Sequence, residues 1–465
     1  MMKMKKQIKL QEIKQPETFE YVSPVYLTDE TISERKEKLL HVMKEENFDV
    51  LVIYADKEHG SNFEYLTGFI PRFEEAIFVI KSSGECFYIL GNENLKLAQH
   101  ARVSGSVHHS PLFSLPNQPM YNDQPLETIW NEINFSNCKK IGLVGWKMFT
   151  SNIQNNDQIF EIPYFIVQSL INAKQDDAKI LQASYLFIGG NIGVRTINNA
   201  NEIAHYEYGA NLASTSMLNA LNAIDIDVKE SFLGSILNSE GQTNNVVTIA
   251  ATGKRFEYAN LYPTAKKTKL GDPLSLTTGY KGGLSSRTGF IVETKEQLPS
   301  SQADYLDKVV IPYYQTLVYW LENIKIGMSG GTFYEYIEAI YPKEIYHWHL
   351  NPGHLVSDEE WMSSPIYPGS LEKLQSGMLL QIDIIPSMEG YTGVSAEDCI
   401  ALADKVLRNN IKESYPQLWD RIQKRRNYIQ NQLNINISEE ILPLSNTVGY
   451  LRPYFLSKHM ALGCE

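Results

Sequence analysis

Three side chains in the last third of the sequence could do chemistry together. His354 closes the run Asn351-Pro352-Gly353-His354, just after a second histidine, His349. Asp383 lies in an apolar run over 379–385, at period two with Leu379, Gln381 and Ile385. Glu397 opens another run over 397–403, with small Cys399 and Ala401 at the same period. A carboxylate between apolar strand residues must be neutralised, paired or ligated, because burying an isolated charge is very costly. Two of them on neighbouring strands, with an imidazole, make an O,O,N set for one divalent metal ion. Metal-free chemistry is also open: His354 or His349 beside Asp383 or Glu397 could serve as general base. The plainest alternative has His354 capping a turn and both carboxylates facing solvent at strand ends.

These residues need a scaffold, and the second half of the chain repeats one. Residues 202–224 read as a long helix, broken by Asp225-Ile226-Asp227, with a second helix over 228–237. The plan recurs as a helix over 308–323, a breaker at 324–328 and a helix over 332–340. A glycine and a short apolar run follow each pair, Gly271 to Leu276 and Gly377 to Ile382. Two such units predict pseudo-symmetric halves around one curved sheet, with the site where the halves meet. The first half reads differently. An amphipathic helix over 30–48, with Leu39, Leu40 and Met43 on one face, leads into a buried parallel strand, Asp49 to Tyr54. A strand pair at 76–81 and 85–90, a helix near 92–101 and a buried strand over 139–146 complete an α/β domain. The expected divisions are a polar tail over 1–25, a first domain over 26–180, the duplicated domain over 181–408 and a helical extension over 409–465. In that extension Arg421, Lys424, Arg425 and Arg426 read as a solvated face.

Composition narrows the functional classes. The 42 Lys plus Arg against 54 Asp plus Glu give a net charge of −12, which argues against nucleic acid or an anionic membrane surface as partner. Cys86, Cys138, Cys399 and Cys464 are widely spaced, so neither a disulfide framework nor a thiolate zinc site is expected. No run approaches the length of an apolar membrane helix, and the basic N-terminus lacks the apolar core of a secretory signal. The expected location is the cytoplasm.

The segment Asn62-Phe63-Glu64-Tyr65-Leu66-Thr67-Gly68-Phe69 resembles the first-domain signature of the creatinase, prolidase and aminopeptidase P group. The duplicated half is similar to the pita-bread fold those enzymes share with methionine aminopeptidase. Gly353-His354, Gly377-Met378 through Asp383, and Glu397-Asp398 match the group's last three metal-binding motifs in order and spacing. The resemblance covers roughly residues 30–408. It implies a creatinase-like α/β N-terminal domain, an α+β pita-bread C-terminal domain with an internal pseudo-two-fold, and a homodimer. Its most similar activity is Xaa-Pro aminopeptidase.

The departures from that pattern matter as much. The group's first metal aspartate falls at Thr277 and its second at Leu284, three residues before the retained Arg287-Thr288. A substrate-contacting histidine falls near Asn260, and the glutamate of the fourth motif is the shorter Asp383. A second histidine beyond His354 is missing from a stretch that carries Asp358, Glu359 and Glu360. A two-metal hydrolase needs a bridging carboxylate and about five ligands to hold its ions ~3.5–4 Å apart. The resemblance therefore implies one divalent ion at most (Mn, Zn or Co), held by His354, Asp383 and Glu397, or none. Three activities follow: a divergent exopeptidase, a metal-free hydrolase of small molecules as in creatinase, or a non-catalytic cleft that docks peptides.

Overall fold

The computed structural model describes residues 6–259 and 261–465. The chain divides into two compact units, residues 27–196, and residues 197–465 together with the first 26. The first strand, β1 (Ile8–Glu12), belongs to the second unit.

The unit over 27–196 is a six-stranded mixed sheet. It contains β2 (Val50–Ala55), β3 (Ala76–Lys81), β4 (Cys86–Leu90), β5 (Ser106–His109), β6 (Lys140–Val144) and β7 (Lys179–Gln182), in the order β5-β4-β3-β2-β6-β7. Every residue of β2 is buried, as expected of a central strand covered on both faces. It runs parallel to β6 and antiparallel to β3. Val50, Val52 and Ile77 pack with Ile129 and Trp130 of the helix Leu126–Ile133 and with Ile166 and Leu170 of the helix Tyr164–Ala173. The Asn62–Phe69 signature forms a helix, Ser61–Thr67, that ends at Gly68 in the left-handed conformation (φ 76°). Near 92–101 a 3-10 turn, Leu95–His100, replaces the expected helix.

The second unit carries the duplication. A helix pair, Ala200–Ala223 and Glu230–Leu237, precedes β8 (Ile249–Thr252), β9 (Pro273–Tyr280) and β10 (Gly283–Phe290). A second pair, Ile311–Asn323 and Gly330–Ile340, precedes β11 (His354–Leu355), β12 (Leu379–Gln381), β13 (Ser395–Glu397) and β14 (Cys399–Leu402). The two four-stranded sheets run β13-β10-β9-β8 and β11-β12-β14-β15, where β15 is Ile441–Pro443. The repeat extends to single residues. Lys229 bridges Lys267 in one half, and Ser329 bridges Lys373 at the equivalent place in the other. Positive φ recurs at Asp227 and Gly327, and at Gly271 and Gly377 just before β9 and β12.

Two readings of the chain ends need correction. Residues 8–12 are not a free tail: β1 pairs antiparallel with β16 (Met460–Cys464). Local periodicity could not show a partner at the opposite end of the chain. Nor do the basic residues of the helix Pro416–Asn431 all face solvent. Arg421 and Arg425 both pair with fully buried Glu207 of the helix Ala200–Ala223, and Arg426 donates to the carbonyls of Ser438 and Ile441. Only Lys424 is half exposed. A buried glutamate needs a cationic partner, and the two arginines hold its carboxyl below the usual range against the opposing pull of burial. No helix among the described residues is long and apolar enough to cross a membrane.

Candidate functional site

The strand read as Glu397–Ala403 is two strands broken at Asp398. Glu397 pairs with Ser286 of β10, whereas Cys399 pairs with Gln381 of β12, so the chain passes from one sheet to the other at that residue. Asp398 is fully buried, accepts from Ser285 Oγ (2.9 Å) and Thr447 Oγ1 (2.8 Å), and is bound by Arg287 Nη2 (2.6 Å). Arg287 spends its remaining donors on carbonyls, among them those of Tyr450 (3.0 Å), Thr447 (2.9 Å) and Glu397 (3.1 Å). With all members satisfied, this network can stay buried. Asp383 lies two residues beyond the end of β12, so its run is strand only over its first three residues.

Asp383 and Glu397 line one cavity of about 760 Å³, entirely within the second unit. Thr277, Leu284, Glu360 and Trp361 line it as well. His354 stands behind that wall, fully buried. Its Nε2 is 3.2 Å from Glu360 Oε1 and 3.8 Å from Asp383 Oδ2, and its ring stacks on Trp361 with centroids 4.1 Å apart. His354 Nδ1 lies 3.1 Å from the Leu355 carbonyl, which assigns the proton to Nδ1 and turns Nε2 toward the carboxylates. Neither Nε2 nor Asp383 Oδ1 has an aligned hydrogen-bond partner. Both atoms are buried donors or acceptors left for something else to satisfy.

Burial dominates the electrostatics. It pushes the Asp383 carboxyl up to about 6, with Glu360 adding to the rise and His354 opposing it. Burial likewise drives Glu397 well above the carboxylate range, reinforced by Asp383 and Glu360 and only partly offset by Arg287. Burial alone would lower His354, but Glu360 and Asp383 outweigh it and raise the imidazole above its ordinary value. The cluster favours bound protons, or another positive charge in their place.

The cavity floor carries residues that chemistry-bearing motifs do not reveal. Ile249, Thr277, Ser286 and Glu397 lie side by side across β8, β9, β10 and β13, and Ser275, Thr288 and Ser395 form the next row on that face. Their hydroxyls form one chain: Thr277 to Ser286 (2.9 Å), Ser286 to Ser395 (3.1 Å), Ser395 to Thr288 (3.1 Å) and Thr288 to Ser275 (3.1 Å). Serine and threonine are too common for their types alone to have marked these positions; period two along β9 and β10 places them. Of the three acids after His354, Glu360 reaches the imidazole, while Asp358 is held by Tyr206 (3.1 Å). His349 is exposed and bonds with none of the cluster. Asn260 lies outside the described residues.

Thr277 and Leu284 leave the cavity without two of the carboxylates that a pair of ions requires, so the residues present do not fit a two-ion centre. Among the described residues, no group of three or more His, Cys, Asp or Glu side chains is gathered to hold a metal ion. His354 Nε2 and Asp383 Oδ1 are two buried lone-pair atoms without an aligned hydrogen-bond partner, and a single cation could satisfy both.

No protein-family model matches the sequence, and no curated protein matches it. Solved structures do. The Xaa-Pro dipeptidase from Bacillus anthracis is 18% identical and superposes with a TM-score of 0.61, covering 80% of this chain and 94% of its own. A prolidase from Thermococcus sibiricus is 18% identical with a TM-score of 0.64, covering 80% and 95%. An X-Pro aminopeptidase from Thermotoga maritima is 16% identical with a TM-score of 0.60, covering 80% and 95%. At this identity the likeness is one of fold: the chain has a creatinase-like α/β domain joined to a pita-bread domain, the architecture of the prolidases and Xaa-Pro aminopeptidases.

Proposed function

We propose that the cavity is the substrate cleft of a divergent hydrolase of the Xaa-Pro aminopeptidase and prolidase type, acting on peptide N-termini with at most one divalent ion. The observation that carries this reading is the pair of orphaned atoms, His354 Nε2 and Asp383 Oδ1, buried at the wall of an open cavity. The resemblance assigns the ion to His354, Asp383 and Glu397, which are not gathered into a three-ligand group among the described residues, so an ion would have to draw them together; when bound it would polarise water or a scissile carbonyl. The other roles belong to the chain. Asp383, its carboxyl pushed up to about 6 by burial, would serve as general base, with His354 Nε2 3.8 Å away opposing that rise. Leu284, Ile249 and Trp361 supply apolar wall beside the carboxylates.

A second reading draws on Thr277 and Leu284. With two carboxylates gone and Glu360 already at the imidazole, the cleft would dock peptides without cutting them. A metal-free hydrolysis of small molecules is the third, using Asp383 and His354 alone. A homodimer belongs to the proposal and is checked by its mass in light scattering. The activity test is hydrolysis of Xaa-Pro dipeptides and longer Xaa-Pro peptides with and without Mn²⁺. Turnover that is lost in Asp383→Asn supports the hydrolase, whereas peptide binding without turnover in either condition supports docking.

A further inference from the structure

The unit over 27–196 has an acidic pocket of its own, of about 440 Å³, at one end of its sheet. Ala55 and Ala76 close the register of β2 and β3, so Asp56, just beyond β2, and Glu75, just before β3, emerge together at that end. Glu74 is the third carboxylate of the lining, which among the described residues includes no lysine, arginine or histidine.

The three acids are not equally provided for. Asp56 accepts from the backbone N–H groups of Glu58 (2.8 Å) and His59 (2.7 Å) and from the Tyr54 hydroxyl (3.3 Å), and it lies 3.1 Å from His59 Nδ1. Glu74 is only 2% exposed. Its Oε2 accepts from the Glu93 N–H (2.9 Å), and a Cβ at Gly91 would come within 2.5 Å of that oxygen, so the glycine leaves room for the carboxylate. Glu74 Oε1 has no hydrogen-bond partner, and a buried charge of this kind is costly until something offsets it. Glu75 is half-buried; burial pushes its carboxyl up against the pull of its own backbone N–H, and Asp56 and Glu74 add to the rise. Arg72 lies over the Phe73 ring, 5.2 Å from its centroid, and pairs with neither glutamate. No group of three or more His, Cys, Asp or Glu among the described residues is gathered to hold a metal ion, so the missing counter-charge is an organic one.

Around these acids the pocket is apolar and open. Phe73 is 56% exposed and sits at φ 62°, a costly conformation for an aromatic residue. Leu112, Leu115 and Phe165 line the same pocket and are exposed as well. We infer that the pocket takes the guanidinium of an arginine side chain carried by a polypeptide partner, seated against Glu75 with the aromatic side chains beside it. A guanidinium pairs with a carboxylate through two parallel N–H groups and stacks on aromatic faces, which a compact ammonium does less well. Seated there, its charge also offsets the uncompensated one on Glu74. The exposed apolar side chains suit residues flanking that arginine in a chain, whereas the α-carboxylate of free arginine would meet three like charges. The inference depends neither on the cavity of the second unit nor on any hydrolysis.

The test is titration calorimetry on the whole chain with four probes: Nα-acetylarginine amide, its uncharged counterpart Nα-acetylcitrulline amide, Nα-acetyllysine amide and free arginine. The arginine amide is expected to bind at least about tenfold tighter than the citrulline amide, and tighter than the other two. Glu75→Gln should weaken it by about tenfold, and Phe73→Ala should weaken it as well. Should Glu75→Gln not fold, Phe73→Ala at its exposed position carries the same test. Binding of the arginine amide that is unchanged in both variants lies elsewhere, the acidic cavity of the second unit included, and overturns the inference. Equal affinity for arginine and citrulline amides, a lysine amide that matches the arginine amide, tighter binding of free arginine, or no binding of any probe at millimolar concentration overturns it too.

Discussion

Arg287 and Asp398 form a fully buried ion pair, 2.6 Å from Nη2 to Oδ2, next in sequence to Glu397, one of the carboxylates that line the cavity. Because neighbouring strand residues point to opposite faces, anchoring Asp398 on one side sends Glu397 to the other, into the cavity. The pair also marks where the chain leaves one sheet for the next. It is scaffold for the site and takes no place in its lining.

Removing one partner should therefore be costly. Asp398→Asn leaves the guanidinium buried without its counter-charge, a loss of about 3–5 kcal/mol. Urea denaturation should show a markedly lower midpoint for this variant than for Glu397→Gln. Equal midpoints for the two would mean that the ion pair does not hold the strand crossing.

The site carboxylates should act on stability in the opposite sense. Asp383 and Glu397 have raised pKa values in the folded chain, so the folded state binds more protons than the unfolded one once pH exceeds about 4. Their effect is to lower stability as pH rises from about 4 through 6 and beyond. Raised His354 acts in the same direction above its ordinary value. In metal-free protein, Asp383→Asn should be stabilising at pH 7 by on the order of 2 kcal/mol, with the gain fading toward pH 4. Thermal melts at the two pH values check this, and a variant that is destabilised at pH 7 would show that Asp383 is satisfied when ionised.

How much of this was legible in the sequence depended on range. The helix pairs and the strands at 50–55 and 76–90 follow from local periodicity, and His354, Asp383 and Glu397 from acids and imidazole in apolar or glycine-flanked runs. The break at Asp398 did not show, because Glu397 to Ala403 alternates like one strand and only Arg287, far away in sequence, splits it. The Glu207 cluster stayed hidden for the same reason: Arg421 and Arg425 look like surface cations until a distant helix brings the buried acid to them. The hydroxyl floor depends on register across three strands, which no single stretch encodes.

Trp361 offers a direct view of the imidazole stacked on it. A protonated histidine beside an indole should quench its fluorescence, and His354 is raised above its ordinary value of 6.5. Emission should therefore fall as pH is lowered, with a midpoint above 6.5, and the transition should vanish in His354→Gln. A midpoint well below 6.5 would mean that burial outweighs Glu360 and Asp383.

On the proposed reading the cleft holds one ion at most, at His354, Asp383 and Glu397, with uncharged Thr277 and Leu284 where a second ion's carboxylates would stand. Mn²⁺ stoichiometry by equilibrium dialysis, on the unaltered protein and on Thr277→Asp with Leu284→Asp, tests it most directly. The unaltered chain should bind at most one ion, lost in His354→Gln, and the double variant should move toward two. Two tightly bound ions in the unaltered protein would contradict the claim.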